Sequence, residues 1–334
     1  MRVVSGIQPT GNLHLGNYLG AIRNWVAMQD FGQDEPRDCL YFLADLHAIS
    51  MPHVPAELTA GTREMTAALI ACGLDTDKAI LFNQARVPAH AQLQWLLTGT
   101  ARMGWLNRMT QFKDKSGKNK EGASVALYTY PVLQAADVLL YQATHVPVGD
   151  DQKQHLELAR DIAQSFNERF GDTFTLPDPF IPKAGARIMS LRDGSVKMSK
   201  SDPSDMSRIN LADDADEIMQ KVRKAKTDPE PLPFDKEGLA GRPEAENLVT
   251  IFAAITGVDV DTVLADYGGQ GFGTFKPALG ELLVETMRPI STAYVALKDD
   301  AAAMDAVLIA GAAKASALAA PTLEATYAAL GLAR

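Results

Sequence analysis

The 334-residue sequence is poor in cysteine, with only Cys39 and Cys72. That pair supplies neither a zinc-ligand spacing nor a disulfide framework, so a reducing compartment is expected. Long hydrophobic runs are missing too. No stretch of about 18 apolar residues is free of charge, and the richest candidate, Val125 to Val138, is interrupted by Pro131, Gln134 and Asp137. The opening Met-Arg-Val-Val-Ser-Gly-Ile-Gln holds no apolar core of signal-peptide length, so a soluble, cytoplasmic protein is expected. Basic excess is absent: 32 Lys and Arg against 41 Asp and Glu leave a net charge of −9. That balance disfavours a non-specific nucleic-acid coat and leaves room for a local basic patch. No Gly-x-Gly-x-x-Gly follows the first strand-like run, which argues against a nicotinamide-dependent oxidoreductase.

What is present is ordinary globular composition, 46% hydrophobic and 22% charged. At roughly 100–200 residues per domain the length suggests two domains. Strand-like runs at Arg2 to Ile7, Cys39 to Ala44, Ala79 to Phe82 and Val146 to Val148 alternate with helical patterns after Gly16, at Glu57 to Cys72 and at Ala89 to Thr98. The alternation predicts βαβ units and a doubly wound, Rossmann-type α/β parallel sheet over residues 1–203. From 204 to 334 the patterns are helical: Asp213 to Lys226, Ala245 to Ile255, Pro277 to Leu297 and an alanine-rich tail from Asp300 to Leu332. A smaller, mostly α-helical domain is expected there, with its last helix a candidate to pack back on the first domain.

Two motifs carry chemistry. Ser5-Gly6-Ile7-Gln8-Pro9-Thr10-Gly11-Asn12-Leu13-His14-Leu15-Gly16-Asn17 lies where the first strand gives way to a helix. That place in a parallel sheet is a ligand crevice, and His14 can donate to phosphate oxygens. The same residues also fit a plain strand-to-helix turn. Lys197-Met198-Ser199-Lys200-Ser201, followed by Asp202-Pro203, sets two ammonium groups around hydroxyls, a pattern able to hold a polyphosphate and a departing pyrophosphate. A solvated lysine loop would read alike. Asp137 sits in an otherwise apolar helical run, so its carboxylate faces either solvent or a pocket where it is paired. Arg102 to Lys120 carries six cations against Asp114, with Trp105 and Phe112 interleaved, and is the best local patch for an RNA end.

The two motifs together resemble the class I aminoacyl-tRNA synthetases. The strings Ser5 to Gly20, Met109 to Lys115, Tyr130 to Tyr141, Val146 to Asp161, Gly185 to Ser190 and Lys197 to Pro203 look like the bacterial tryptophanyl branch, and Gly268 to Pro289 fits its helical region. The resemblance implies activation of L-tryptophan by ATP, release of pyrophosphate, and transfer to the 3′ end of tRNA(Trp) in protein synthesis. It implies ATP contacts at Gln8, Pro9, Thr10, Gly16, Asn17, Gly149, Asp150, Asp151, Ile188 and the loop Lys197, Met198, Ser199, Lys200 and Ser201. Asp150 stands where Glu is usual. Lys197, Lys200 and His14 take the catalytic roles, and Lys115 is a phosphate candidate. Asp137 is the expected acceptor of the indole N–H, with Gln134, Tyr130, His47, Gln152 and Val4 around it. Mg²⁺ accompanying ATP without dedicated protein ligands, a homodimer and anticodon reading by the helical domain are also implied. Lysines of that domain, such as Lys221 and Lys224, are expected to be exposed.

Competing readings remain. Gln134 favours the tyrosyl relative, which shares the fold. A small-molecule nucleotidylyltransferase shares the first motif but is generally shorter. A non-catalytic RNA-binding protein would need the basic patch without both phosphate motifs.

Overall fold

The computed structural model describes residues 1–9, 13–30, 38–110, 122–149, 152–180 and 187–333. Five strands, β1 (Arg2–Ile7), β2 (Asp38–Leu43), β3 (Ala79–Asn83), β4 (His145–Pro147) and β5 (Asp178–Phe180), pair in parallel in the order β3-β2-β1-β4-β5. The register sets Val4 against Leu40 and Val3 against His145. Four strands fall within a residue or two of the sequence pattern. β5 was not foreseen: it is Asp-Pro-Phe, with no apolar run, and its proline is tolerated because the strand lies at the sheet edge.

Alternate residues of the strands point to opposite faces and feed two separate cores. Val3, Cys39, Tyr41, Leu43, Ala79 and Leu81 face one side, Val4, Leu40, Phe42 and Phe82 the other. Against the first face pack α1 (Leu15–Asn17), a π-turn (Tyr18–Ile22), α2 (Arg23–Gln29) and α4 (Pro55–Ala71), with α3 (Asp45–Ala48) following β2. The π-turn interrupts what the sequence suggests is one continuous helix after Gly16. Against the second face pack α5 (Ala89–Thr98), α6 (Met103–Leu106), α7 (Val125–Leu139) and α8 (Lys153–Phe170).

Beyond residue 203 lie α9 (Ala215–Lys224), α10 (Pro243–Thr256), α11 (Val260–Tyr267), α12 (Phe272–Leu297) and α13 (Ala301–Ala329). The first core continues without a break from Val3 through Leu248, Phe275 and Met287 to Leu308. α9 opens with a reciprocal cap, Asp214 accepting from the Glu217 N–H and Glu217 from the Asp214 N–H. α13 has the length and apolar composition of a membrane-crossing helix. Here it runs over β3, and Ala312, Ala315, Ala319 and Leu323 enter the second core. A Cβ on Gly311 would lie 1.8 Å from the Leu81 carbonyl oxygen, so this approach needs glycine.

Candidate active site

The strand order reverses between β1 and β4, and that reversal opens a crevice at their C-terminal ends. Just past β1, Leu13 to Leu15 run beside Ile209 to Leu211: the Leu15 N–H donates to the Ile209 carbonyl (2.8 Å) and the Leu211 N–H to the Leu13 carbonyl (3.0 Å). His14 is thereby buried, with its backbone N–H on Asn17 Oδ1 at 3.1 Å. A Cβ on Gly16 would meet the His14 ring at 3.1 Å and Met198 Cβ at 3.5 Å. The two motifs, far apart in the chain, therefore touch at Gly16.

Met198 is the anchor of the lysine loop. It is buried, and its N–H donates to the Ile188 carbonyl at 3.0 Å. Lys197 and Lys200 on either side are exposed, and the hydroxyls of Ser199 and Ser201 lie 2.8 Å apart. Arg208, not foreseen from the sequence, closes the loop from below by donating to the Asp202 carbonyl at 3.0 Å. Burial, and then the charges of Arg208, Lys197 and Lys200, pull the His14 pKa down from 6.5 to about 4. His14 is thus a neutral imidazole at pH 7, a one-proton donor in a cationic surround. Burial also lowers the pKa of Lys200.

Beside these motifs is a cavity of about 540 Å³ lined by Val4, Gln8, Phe42, His47, Tyr130, Gln134, Asp137, Val148 and Gln152 among others. Seven of the site residues expected from the sequence, from three different elements and two loops, meet in this one space. Gln134 donates to Gln152 at 3.1 Å across the mouth. The Tyr130 hydroxyl and His155 Nε2 are 2.8 Å apart, and burial pushes the Tyr130 pKa up to about 12.

Asp137 faces the pocket, not solvent, and is 1% exposed. His47 Nε2 lies 2.7 Å from Oδ2, while His90 Nδ1 at 2.6 Å and Gln84 Nε2 at 2.5 Å meet Oδ1. Burial alone would raise this carboxyl's pKa, but the two histidines outweigh it and hold it below the usual range. His90 and Gln84 were missed because nothing local marks them. Only the fold brings them to Asp137.

Several expected residues are placed less directly. Pro9 is buried, and its carbonyl is approached by Gly61 of α4, where a Cβ would lie at 2.7 Å. Gly149 is exposed at the end of the β4 segment, with its carbonyl accepting from the Gln152 N–H at 3.0 Å. Ile188 is buried and its carbonyl already serves Met198. Thr10, Lys115, Asp150 and Asp151 lie outside the described residues. Lys221 is not exposed: it is buried between Asp213 and Asp205, at 2.6 and 2.7 Å. Its position on the inner face of α9 explains the difference.

The profile of the family described as tRNA synthetases class I (W and Y) matches residues 1–287. This chain is a class I tRNA synthetase of that family. The tryptophan–tRNA ligase of Caulobacter vibrioides is 61% identical to this synthetase over 324 residues, covering 96% of this chain and 93% of that protein. Among solved structures, the tryptophanyl-tRNA synthetase of Mycoplasma pneumoniae is similar with a TM-score of 0.85 at 34% identity, covering 99% of this chain and 98% of its own. That of Campylobacter jejuni, solved with ADP and tryptophan, has a TM-score of 0.81 at 32% identity, covering 99% and 100%. The synthetase thus brings two distant sequence motifs into contact beside a pocket with a buried, ionised carboxylate.

Proposed function

We propose that this synthetase activates L-tryptophan with ATP and transfers it to tRNA(Trp). The observation that carries the reading is the pocket itself: an ionised Asp137 lining a cavity beside the contact between His14, Gly16 and Met198. Asp137 accepts the indole N–H, and Gln134 with Gln152 holds the substrate ammonium end. The tryptophan carboxylate oxygen attacks the α-phosphorus of ATP, the bond to the β-phosphate oxygen breaks, and pyrophosphate leaves. A 3′-terminal ribose hydroxyl of tRNA then attacks the carbonyl of tryptophanyl-adenylate, and AMP leaves.

The chain's contribution is positioning and charge stabilisation, with no covalent nucleophile. Lys197 and Lys200 neutralise charge on the departing pyrophosphate, and His14 donates its single N–H to a phosphate oxygen. Gln8, Pro9, Thr10, Gly16, Asn17, Gly149, Asp150, Asp151 and Ile188 seat the nucleotide, and Lys115 reaches its phosphates. We assign Mg²⁺ to the ATP phosphates, with which it enters as part of the substrate.

We assign residues 1–203 to catalysis and 204–334 to reading the anticodon, with the protein working in the cytoplasm. We assign a homodimer, and the exposed apolar side chains of Trp95, Met103 and Val125 on the neighbouring helices α5, α6 and α7 are candidates for burial by the partner subunit. The test of the pocket is tryptophan-dependent ATP–pyrophosphate exchange. Asp137→Ala is expected to lose most of it, and Gln134→Met to keep tryptophan preference with a modest change in affinity. Wild-type exchange by Asp137→Ala would overturn the assignment.

A further inference from the structure

An ionised carboxylate offers about four lone-pair positions. On Asp137 three are filled among the described residues: two on Oδ1, by Gln84 and His90, and one on Oδ2, by His47. The open position is on Oδ2, the oxygen shared with the pocket-lining His47. This arrangement depends on where His90 carries its proton. His90 is fully buried, and its far nitrogen, Nε2, is 2.7 Å from the hydroxyl of Tyr141, itself fully buried.

For a neutral His90 only one arrangement of protons satisfies both contacts. If neutral His90 carried its hydrogen on Nε2, the bare Nδ1 lone pair would face the Asp137 carboxylate at 2.6 Å. If instead Tyr141 donates to Nε2, the imidazole hydrogen sits on Nδ1 and points at Oδ1. Burial, reinforced by Asp137, keeps Tyr141 a neutral phenol able to donate. We propose that His90 and Tyr141 are positioning residues for amino-acid specificity: Tyr141 fixes the His90 tautomer, His90 saturates Oδ1, and Oδ2 is left with one acceptor position for the substrate N–H. The inference rests on the reading of Asp137 as the indole acceptor. Neither residue touches the substrate, and neither lines the cavity. Without His90 the carboxylate loses a restraint on its rotation, and Oδ1 has an orphaned position that draws the group away from the pocket.

The experiment compares pyrophosphate exchange with tryptophan and with 3-benzothienylalanine, in which sulfur replaces the indole N–H. The ratio of kcat/KM values reports the N–H contact. In His90→Leu, which fills space but donates nothing, the ratio is expected to fall by about tenfold, through KM for tryptophan and with KM for ATP unchanged. His90→Asn places an amide N–H near the Nδ1 position and is expected to restore most of the ratio. A purely space-filling role would reverse that order. Tyr141→Phe removes one oxygen from an intact ring, so it keeps the test available should His90→Leu fail to fold. It is expected to lower the ratio severalfold. An unchanged ratio in Tyr141→Phe, or Leu serving as well as Asn at position 90, overturns the proposal. A wild-type enzyme that does not distinguish the two substrates, or an Asp137→Ala variant that still does, overturns the Asp137 reading and this inference with it.

Discussion

Lys221→Met tests the link between the helical region and the lysine loop. Lys221 Nζ is 2.6 Å from Asp213 and 2.7 Å from Asp205, and its side chain is 2% exposed. Asp213 also accepts from the Asn210 backbone at 2.9 Å, and Asp205 forms an ion pair with Arg208 at 3.2 Å. Arg208 in turn holds the carbonyl of Asp202, directly after Ser201. Methionine keeps most of the volume of the lysine stem but leaves two carboxylates without their shared cation. Removing one partner of a buried pair costs about 3–5 kcal/mol. Asp205 is half exposed and regains water, which favours the lower end, about 3 kcal/mol. At about 2 °C per kcal/mol for a large chain, the melting temperature is expected to fall by about 6 °C. Calorimetry of Lys221→Met beside Lys224→Met, an exposed position on the same helix, is the assay, and the control is expected to stay within about 0.5 kcal/mol of wild type. The loosened Asp205–Arg208–Asp202 chain is also expected to raise KM for ATP and leave KM for tryptophan alone. A variant that melts with wild type and keeps its KM for ATP would refute the reasoning.

Lys200→Ala is expected to cut the rate of pyrophosphate exchange by about two to three decades, the worth of a preorganised charge on the leaving group, while equilibrium tryptophan binding stays near wild type. Parity in exchange would remove Lys200 from the reaction. His14 titrates at about 4 in the fold against 6.5 when free. The unfolded chain therefore binds the extra proton first as pH falls. The associated stability is complete above pH 6.5, is lost between 6.5 and about 4, and amounts to about 3 kcal/mol. His14→Asn should lack that loss when denaturant midpoints are compared across the window, and a His14 NMR titration near 6.5 would contradict it. Gly311→Ala places a Cβ 1.8 Å from the Leu81 carbonyl, and the strain is expected to cost about 1–3 kcal/mol or more in denaturant unfolding. An unaffected midpoint would mean that α13 does not need its close approach to β3.

Much of the sheet was legible because parallel strands buried on both faces read as compact apolar runs, as Cys39 to Leu43 do. The three-residue edge strand at Asp178–Phe180 has no such run and carries a proline, so only pairing with β4 reveals it. The pocket was legible as far as the family resemblance reached: Val4, Gln8, His47, Tyr130, Gln134, Asp137 and Gln152 do meet. Gln84, His90 and Tyr141 were not, because a residue that acts by holding another leaves no local pattern. Lys221 misled for a related reason. A lysine on an amphipathic helix is usually solvated, and its burial depends on Asp205 and Asp213 arriving from the preceding loop.

The most direct test of the account is ATP–pyrophosphate exchange by the purified chain with each of the twenty amino acids supplied singly. The account predicts exchange driven by tryptophan, with phenylalanine, which offers Asp137 no donor, behind by up to about four to five decades, and tyrosine, whose hydroxyl sits on a smaller ring, also behind. Faster exchange with tyrosine than with tryptophan, or none with either, would contradict it.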